Sequence, residues 1–528
     1  MTTTALELNR DQQLKLFEPL PTISQRRYGH SATGRVFLDP EPETLYLGQI
    51  SIEQHLHLAG ITEPFIVRRL LAEQDWRAFE SNYAEIGRAP YSPRSMLGLI
   101  LYGIMQGVSS LRSLERLARL DIGAMWVSGG NCPDHANIGR FISLHGELLT
   151  GEFFVGLTRS VLTETKTGGK RLAGDGTVIE AACSHYHLLK EDAAKQSLAQ
   201  AEREAEQSPK DGRKQATLQQ RQRAHETLQT RKAAQRSKGK PGDKICVSLH
   251  EPEAMVQPLK RGRGTGPSYK PSVVANEGRV VLGIGVHPSS ETTMVADMLR
   301  QSEAISGDTV EELLLDAGYC SHKILQLSVE QDISLLCPEG KVAGQVKQSG
   351  KYYPKAQFRY DDSRDAYLCP NQQWLTPLDR YRGNVQTEAY VRYTTSACKD
   401  CPVKTCCTRG KRRTIKRYPG DELKDALRIV MQQPQAQAIF AKRQAMVEPV
   451  FSILRQKQGL NRFRRRGLAG VKCEFALHIL AYNLSRAVVA CSGFIYVLLK
   501  GCLMLLLPQN FINWSSRLRQ EQLLQMAC

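Results

Sequence analysis

Two short stretches of this 528-residue chain end an apolar run in a single aspartate beside glycine. KRLAGDGTVIEAAC, from Lys170 to Cys183, sets Asp175 between Gly174 and Gly176, and EELLLDAGYC, from Glu311 to Cys320, sets Asp316 just before Ala317 and Gly318. An aspartate that ends a central strand projects from the sheet edge, where the chemistry of open α/β folds sits. Flanking glycines let backbone and ligand approach with no Cβ between them. Two such ends on neighbouring strands could hold hard divalent cations through oxygen, an arrangement that suits Mg2+ with substrate phosphates completing its shell. Holding a pair of ions for an in-line displacement at phosphorus normally calls for a third acid. Glu448 is the candidate, the only acid from Phe440 to Gly467 among six arginines and two lysines. It is there either as a salt-bridged surface residue or as a ligand whose surroundings bind phosphate.

A second group of residues could ligate metal. Cys369 in YLCPNQQW, with Cys398, Cys401, Cys406 and Cys407 in ACKDCPVKTCCT, supplies thiolates enough for tetrahedral Zn2+. The alternative is a set of unligated reduced thiols, in keeping with fourteen cysteines that cluster near position 400 instead of forming a framework. A zinc clamp would fold a loop too polar to bury a core of its own.

Cations are concentrated around these sites. The run Arg409 to Arg417, with Arg412, Arg413 and Lys416, and the run Arg462 to Arg466, with Arg464 and Arg465, flank Glu448 in sequence. Seventy-one Lys and Arg against 53 Asp and Glu leave a formal charge of +18, which points to a polyanionic partner. Contacts of this kind position DNA without reading its sequence. No phosphate-binding GxxxxGK[ST] loop, zinc-protease helix or nucleophile elbow is present. The glycines of RGRGTGP (Arg261 to Pro267) read as a loop, and His185 to His187 as surface histidines.

The elements that must position these residues follow from periodicity. From Ile50 to about Leu162 the apolar spacing is helical, with Ser92 a cap, Pro93 at the first helical position, Gly107 a stop and Ser109 or Ser110 the next cap. Asp134 caps a short helix carrying Asn137, Arg140 and His145, whose side chains are expected to be exposed. Short helices with tight turns suit either a helix-turn-helix reader of DNA or a helical packing and dimerisation domain. Lys190 to Lys240 has no aromatic residue and breaks once at SPKDG, so it reads as a polar helical hairpin, a solvated insertion or a basic arm on DNA. Strands are expected at Arg171–Ala173, Thr177–Ile179, Ile245–His250, Lys270–Asn276, Arg279–His287, Glu312–Asp316 and Ile333–Pro338, with a helix after Ser290. Strands first and then strands alternating with helices give a mixed α/β sheet. The opening MTTTALELNRDQQ lacks the character of a secretion signal. The apolar run Cys491 to Pro508, interrupted by Lys500 and Gly501, reads as a buried or partner-packed helix and not as a membrane span.

GDGTVIEA (Gly174 to Ala181), LLLDAGY (Leu313 to Tyr319) and RQAMVEPVFSILR (Arg443 to Arg455) resemble, in this order, the three acidic motifs of DDE-type bacterial insertion-sequence transposases. GLNRFRRRGLAGVKCEFALHILAYNLSRA resembles that family's ending, and APYSPRSMLGLILYGIMQGVSSLRSLER with GNCPDHANIGRF resembles its helical N-terminal domain. The matching pieces span roughly Ser51 to Arg486. The resemblance implies an RNase H-like catalytic domain in which Asp175, Asp316 and Glu448 bind two Mg2+ or Mn2+ ions. The implied reaction is hydrolysis at the ends of a mobile element, then attack of the freed 3′-hydroxyl on target DNA. Phe440, Arg443 and Arg455 correspond to an aromatic and two basic residues around the family's glutamate, but Phe440 replaces the usual tyrosine and lacks its hydroxyl. Pro449 disfavours helix at Glu448 and is expected to set a helix start or a kink there. By the family's cysteine pattern Cys369, Cys398, Cys401 and Cys407 would be the zinc ligands, with Cys406 spare.

The organisation expected is thus an N-terminal tail (1–49), an all-α DNA-binding domain (50–165), an RNase H-like domain (166–487) with a helical insertion at about 187–244 and a cysteine-rich one at about 350–420, and an apolar tail (488–528). The partners implied are DNA, as the element's terminal inverted repeats and its target, and a second copy in a homodimer. The setting implied is the bacterial cytoplasm, at the nucleoid when DNA is bound, with no membrane. The rival reading is a non-catalytic, zinc-stabilised DNA-binding protein descended from such an enzyme.

Overall fold

A computed structural model describes residues 28–506 except 31–34, 40, 85–86, 185–187, 238, 240, 244, 260–263, 340–351 and 384–388. The His185–His187 triplet, part of RGRGTGP and the end of the apolar tail lie outside the described residues. Two compact units are present, the first comprising Met1–Lys166, Ile453–Gly459 and Ala476–Cys528, the second Thr167–Ser452 and Leu460–Phe475. The boundary therefore differs from a single cut near 166, because two later segments join the first unit.

The first unit is built on α1 (Ile52–Leu58), α2 (Glu63–Ala72), α3 (Arg77–Glu80), α4 (Pro93–Met105), α5 (Leu111–Leu120), α6 (Ile122–Ser128), α7 (His135–Leu144), α8 (Gly146–Thr150) and α9 (Glu152–Thr165). It is not wholly helical, since Tyr28–His30 pairs with Val36–Leu38 and Tyr46–Leu47 with Ile50–Ser51. Apolar side chains all round α4 bury nearly the whole helix, which makes it the centre of this unit. Pro93 opens α4, Gly107 turns the chain at φ +80°, and the Ser110 hydroxyl caps α5 by accepting from Ser113 N. Asp134 caps α7 through Asn137 N at 2.6 Å. His145, expected at the surface, is instead buried among Phe79, Tyr83 and Phe141. The α7 ladder ends at Leu144, and the next residue turns inward.

The second unit centres on a mixed sheet of β1 (Arg171–Gly176), β2 (Thr265–Asn276), β3 (Val281–His287), β4 (Glu312–Leu314) and β5 (Ser334–Leu336). Its order is β3-β2-β1-β4-β5, with short strands Ile179–Glu180 and Met255–Pro258 added beside β2. The β3–β2 and β2–β1 pairs are antiparallel, whereas β1–β4 and β4–β5 are parallel. Apolar residues on both faces of β2 and β4 mark the centre of a covered sheet. Between β1 and β2 lies the hairpin of α10 (Glu191–Gln207) and α11 (Gly212–Arg236), closed by buried Ala194, Ala201, Ala224 and Leu228 and polar elsewhere. α12 (Val295–Ser306) and α13 (His322–Glu330) follow β3 and β4.

The cysteine-rich segment folds as a five-stranded antiparallel meander of β6 (Arg359–Asp361), β7 (Ala366–Leu368), β8 (Trp374–Tyr381), β9 (Tyr390–Thr394) and β10 (Thr414–Arg417). Phe358, Tyr367, Leu375, Tyr393, Cys407 and Ile415 form its core. Three helices complete the chain: α14 (Asp421–Gln432), α15 (Pro434–Gln456) and α16 (Gly467–Leu506). Among the described residues no helix is long and apolar enough to cross a membrane.

Candidate functional site

β1 carries the first aspartate out of the sheet. Leu172, Ala173 and Gly174 are buried, and Asp175 and Gly176 emerge half-buried where the strand ends. In the parallel ladder Leu313 faces Leu172 and Leu314 faces Ala173. β4 ends at Leu314, so Asp316 stands two residues past the last rung, as Asp175 stands two past Ala173 on β1. The Asp316 carboxylate caps the turn Ala317–Tyr319 by accepting from Gly318 N at 2.9 Å, and the Cys337 thiol donates to the Asp316 carbonyl at 3.0 Å. Asp175 accepts from Gly176 N at 2.9 Å.

The structure brings one more acid to this end of the sheet. A Cβ on Gly176 would stand 2.7 Å from the Glu291 carboxyl carbon, so the glycine makes room for that side chain. Lys270 pairs with Glu291 at 3.3 Å. Tyr319 is buried beside the group. Its burial above all, and then the Glu291, Asp175 and Asp316 carboxylates, push its hydroxyl well above the usual phenol range. Glu291 was not singled out by sequence, where it stands in a Ser/Thr-rich turn. Its only signal was an acid at the entry to a helix that follows a strand.

Glu448 and Arg443 share α15. Arg443, which belongs to neither basic run, faces inward and is only 11% exposed. Its guanidinium pairs with Asp175 (21% exposed) at 3.3 Å and donates to the Gly174 carbonyl at 3.1 Å. Glu448 is exposed and accepts from Gln444 at 3.0 Å. It lies five residues beyond Arg443, about 7.5 Å further along the axis. Pro449 sits inside the helix and not at its start. Having no N–H, it leaves the Ala445 carbonyl without its usual helical donor. Arg455, half-buried, follows Glu448 by two turns on α15. As they stand, no three His, Cys, Asp or Glu side chains among the described residues are gathered closely enough to hold a metal ion.

The basic runs divide by what their guanidinium groups touch. Arg462 donates to the carbonyls of Ala181, Ala182 and Cys183. Arg413 donates to those of Cys407 and Tyr353 and lies over the Phe358 ring. Burial lowers the Arg465 pKa, and buried Glu474 accepts from Arg464 N and Arg465 N, fixing the turn of this run. Arg412, Lys416, Arg464 and Arg466 are exposed, as is Arg140 on α7, whose guanidinium donates to Asn137 at 2.7 Å.

Four cysteines line one cavity of the meander without being gathered closely enough to hold a metal ion. Cys369, Cys398, Cys401 and Cys407 line a single small cavity of about 20 Å³, whereas Cys406 is exposed outside it. Polar hydrogens point at the sulfurs: Gln373 N at 3.3 Å from Cys369, Arg413 N at 3.5 Å from Cys398 and Asn371 Nδ2 at 3.6 Å from Cys401. Burial raises the Cys407 thiol, and the other three cysteines add to the rise.

Comparison with known families was decisive at both ends of the chain. Residues 57–144 match a transposase domain and residues 368–488 match a transposase DDE domain. The chain is a relative of the DDE-type insertion-sequence transposases. The second match contains Glu448, the four cavity cysteines and both basic runs, and the first contains Arg140. A search of curated proteins finds no match. Transposases act on DNA, and the mixed sheet fits a protein of this type.

Proposed function

We propose that the chain is a metal-dependent DNA transposase that cuts the ends of an insertion sequence and joins them to target DNA, with Asp175, Asp316 and Glu448 as its acids. The observation that supports this reading is the parallel pairing of β1 with β4, whose last rung joins Ala173 to Leu314 and leaves Asp175 and Asp316 each two residues beyond it. The β3-β2-β1-β4-β5 order, antiparallel and then parallel, supports an RNase H-like catalytic domain. The donors are carboxylate oxygens, which fit Mg2+ or Mn2+. When bound, such ions supply an activated water or hydroxyl and stabilise the leaving oxygen.

The chain's own part is positioning. Gly318 N holds Asp316, and Arg443 holds Asp175 and keeps its charge compensated. Arg412, Lys416, Arg464, Arg466 and Arg140 are the exposed cations suited to phosphates, while Arg413, Arg462 and Arg465 shape the loops that present them. Cys369, Cys398, Cys401 and Cys407 are the residues that would have to draw together on a structural Zn2+: they line one cavity, and N–H groups directed at three of the sulfurs suit thiolate ligands. Two element ends must meet, so the working form is a homodimer on DNA, in the bacterial cytoplasm.

The rival, a non-catalytic DNA-binding descendant, draws on Glu448 being exposed and bonded to Gln444. A nicking assay on DNA carrying the element's ends separates the two. The enzyme reading expects cleavage with Mg2+ or Mn2+ that disappears with EDTA and in Asp175→Ala, Asp316→Ala and Glu448→Ala. Tight binding with every phosphodiester left intact in either metal refutes it.

A further inference from the structure

We propose that the cysteine-rich meander carries a stacking site for an unpaired DNA base. Tyr381 on β8 and Tyr390 on β9 are directly paired across the ladder, with ring centroids 5.1 Å apart and planes at 30°. Tyr418, just past β10, meets Tyr390 edge-on at 5.7 Å. These three rings are half-exposed and stand apart from the meander's core, which is built on Tyr367 and Tyr393. They line a cleft of about 400 Å³, within the roughly 300–1,000 Å³ of sites that hold small organic groups.

The cleft is pre-arranged. Asp365 accepts from the hydroxyls of Tyr360, at 2.8 Å, and Tyr393. Arg417 lies 3.5 Å over the Tyr360 ring and pairs with Asp425 at 3.1 Å. The acids on the wall are matched by cations, Asp365 by Arg380 at 4.0 Å and Glu422 by Arg417 at 4.0 Å. Lys416 stands 4.1 Å above the Tyr390 ring, and Arg380 is 77% exposed at the rim. Flat rings beside cations fit a base and its phosphate, because every base has a π-face and its backbone is anionic. Bases within a duplex have both faces covered, so such a platform takes one that has left the stack.

This inference rests on DNA being the substrate, and the test keeps the two apart. Full-length protein is titrated with a duplex carrying one extrahelical 2-aminopurine and with the same duplex fully paired, following fluorescence and affinity. The unpaired base is expected to bind about tenfold tighter, the scale of one stacked base, with its fluorescence quenched. Tyr381→Ala and Tyr390→Ala should erase that preference and leave the paired duplex within about twofold. Tyr381→Phe and Tyr390→Phe, which keep the ring, should retain it. Equal affinity of the wild type for both probes, or alanine variants that weaken both alike, overturns the site alone. A wild-type chain that binds neither probe overturns the transposase reading with it.

Discussion

Replacing Arg443 by methionine removes the cation that faces Asp175 while keeping the stem that packs on the sheet. At 3.3 Å the pair's Coulomb attraction is about 5 kcal/mol for an effective dielectric near 20. Most of that is offset by desolvating both groups, and pairs open to water are worth only about 0–1 kcal/mol. With exposures of 11% and 21% this pair lies between the limits, so a coupling of about 2 kcal/mol is expected. Arg443→Met also takes the donor from the Gly174 carbonyl, a loss of about 1 kcal/mol. The single variant should therefore be destabilised by about 3 kcal/mol, and Asp175→Asn should recover about 2 kcal/mol of it in the double variant. Urea unfolding of the four proteins in the absence of divalent metal, followed by fluorescence, supplies the cycle. Additive effects within about 0.5 kcal/mol, or an Arg443→Met protein as stable as the parent, would show that the guanidinium does not hold this strand end.

Other outcomes follow from the same reasoning. His145 is buried and its pKa depressed to about 4 from 6.5. The unfolded chain then binds the extra proton first, and stability falls as pH drops from about 6.5 toward 4. A loss of about 2 kcal/mol between pH 7 and pH 5 is expected, absent in His145→Phe, and a flat pH profile of melting would refute it. Glu474→Ala leaves two backbone N–H groups unpaired and should cost about 2–4 kcal/mol. Amide exchange at Arg464 and Arg465 should speed up, with Glu474→Gln intermediate. Unchanged protection there would mean that the run holds its shape by other contacts. Protein expressed with zinc should carry about one ion per chain by elemental analysis, lost in Cys398→Ser and Cys407→Ser but kept in Cys406→Ser. Metal-free wild type would leave these residues as plain thiols.

Asp175 was legible as a strand end because an apolar run closing in Asp-Gly is a local pattern, whereas β4 stops at Leu314 and Asp316 instead caps the turn beyond it. The caps at Ser110 and Asp134 were legible for the same reason, since each acts within three residues of itself. The direction of each arginine was not. Arg412 and Arg413 look alike in sequence, yet one is exposed and the other turns to the carbonyls of Cys407 and Tyr353. Charge density is written in the run, whereas the carbonyls that draw a guanidinium inward come from distant segments. Arg462 likewise reaches Ala181 to Cys183 across 280 positions of chain. Gly176 signalled a close approach, but only the fold discloses that Glu291 makes it. His145 went unread because a helix-end histidine carries no mark of which side the chain will bend toward.

β1 is laddered along both edges, antiparallel to one neighbour and parallel to the other. β1 cannot slide without breaking rungs on each side, and the antiparallel rungs that run on to Gly176 hold Asp175 in place. The helix that carries Glu448 is less constrained, because Pro449 takes one rung from its own ladder. If the three acids act on one substrate, the adjustment that brings Glu448 to the aspartates falls to α15, and Pro449→Ala, by restoring the missing rung, would slow it while leaving the sheet unchanged.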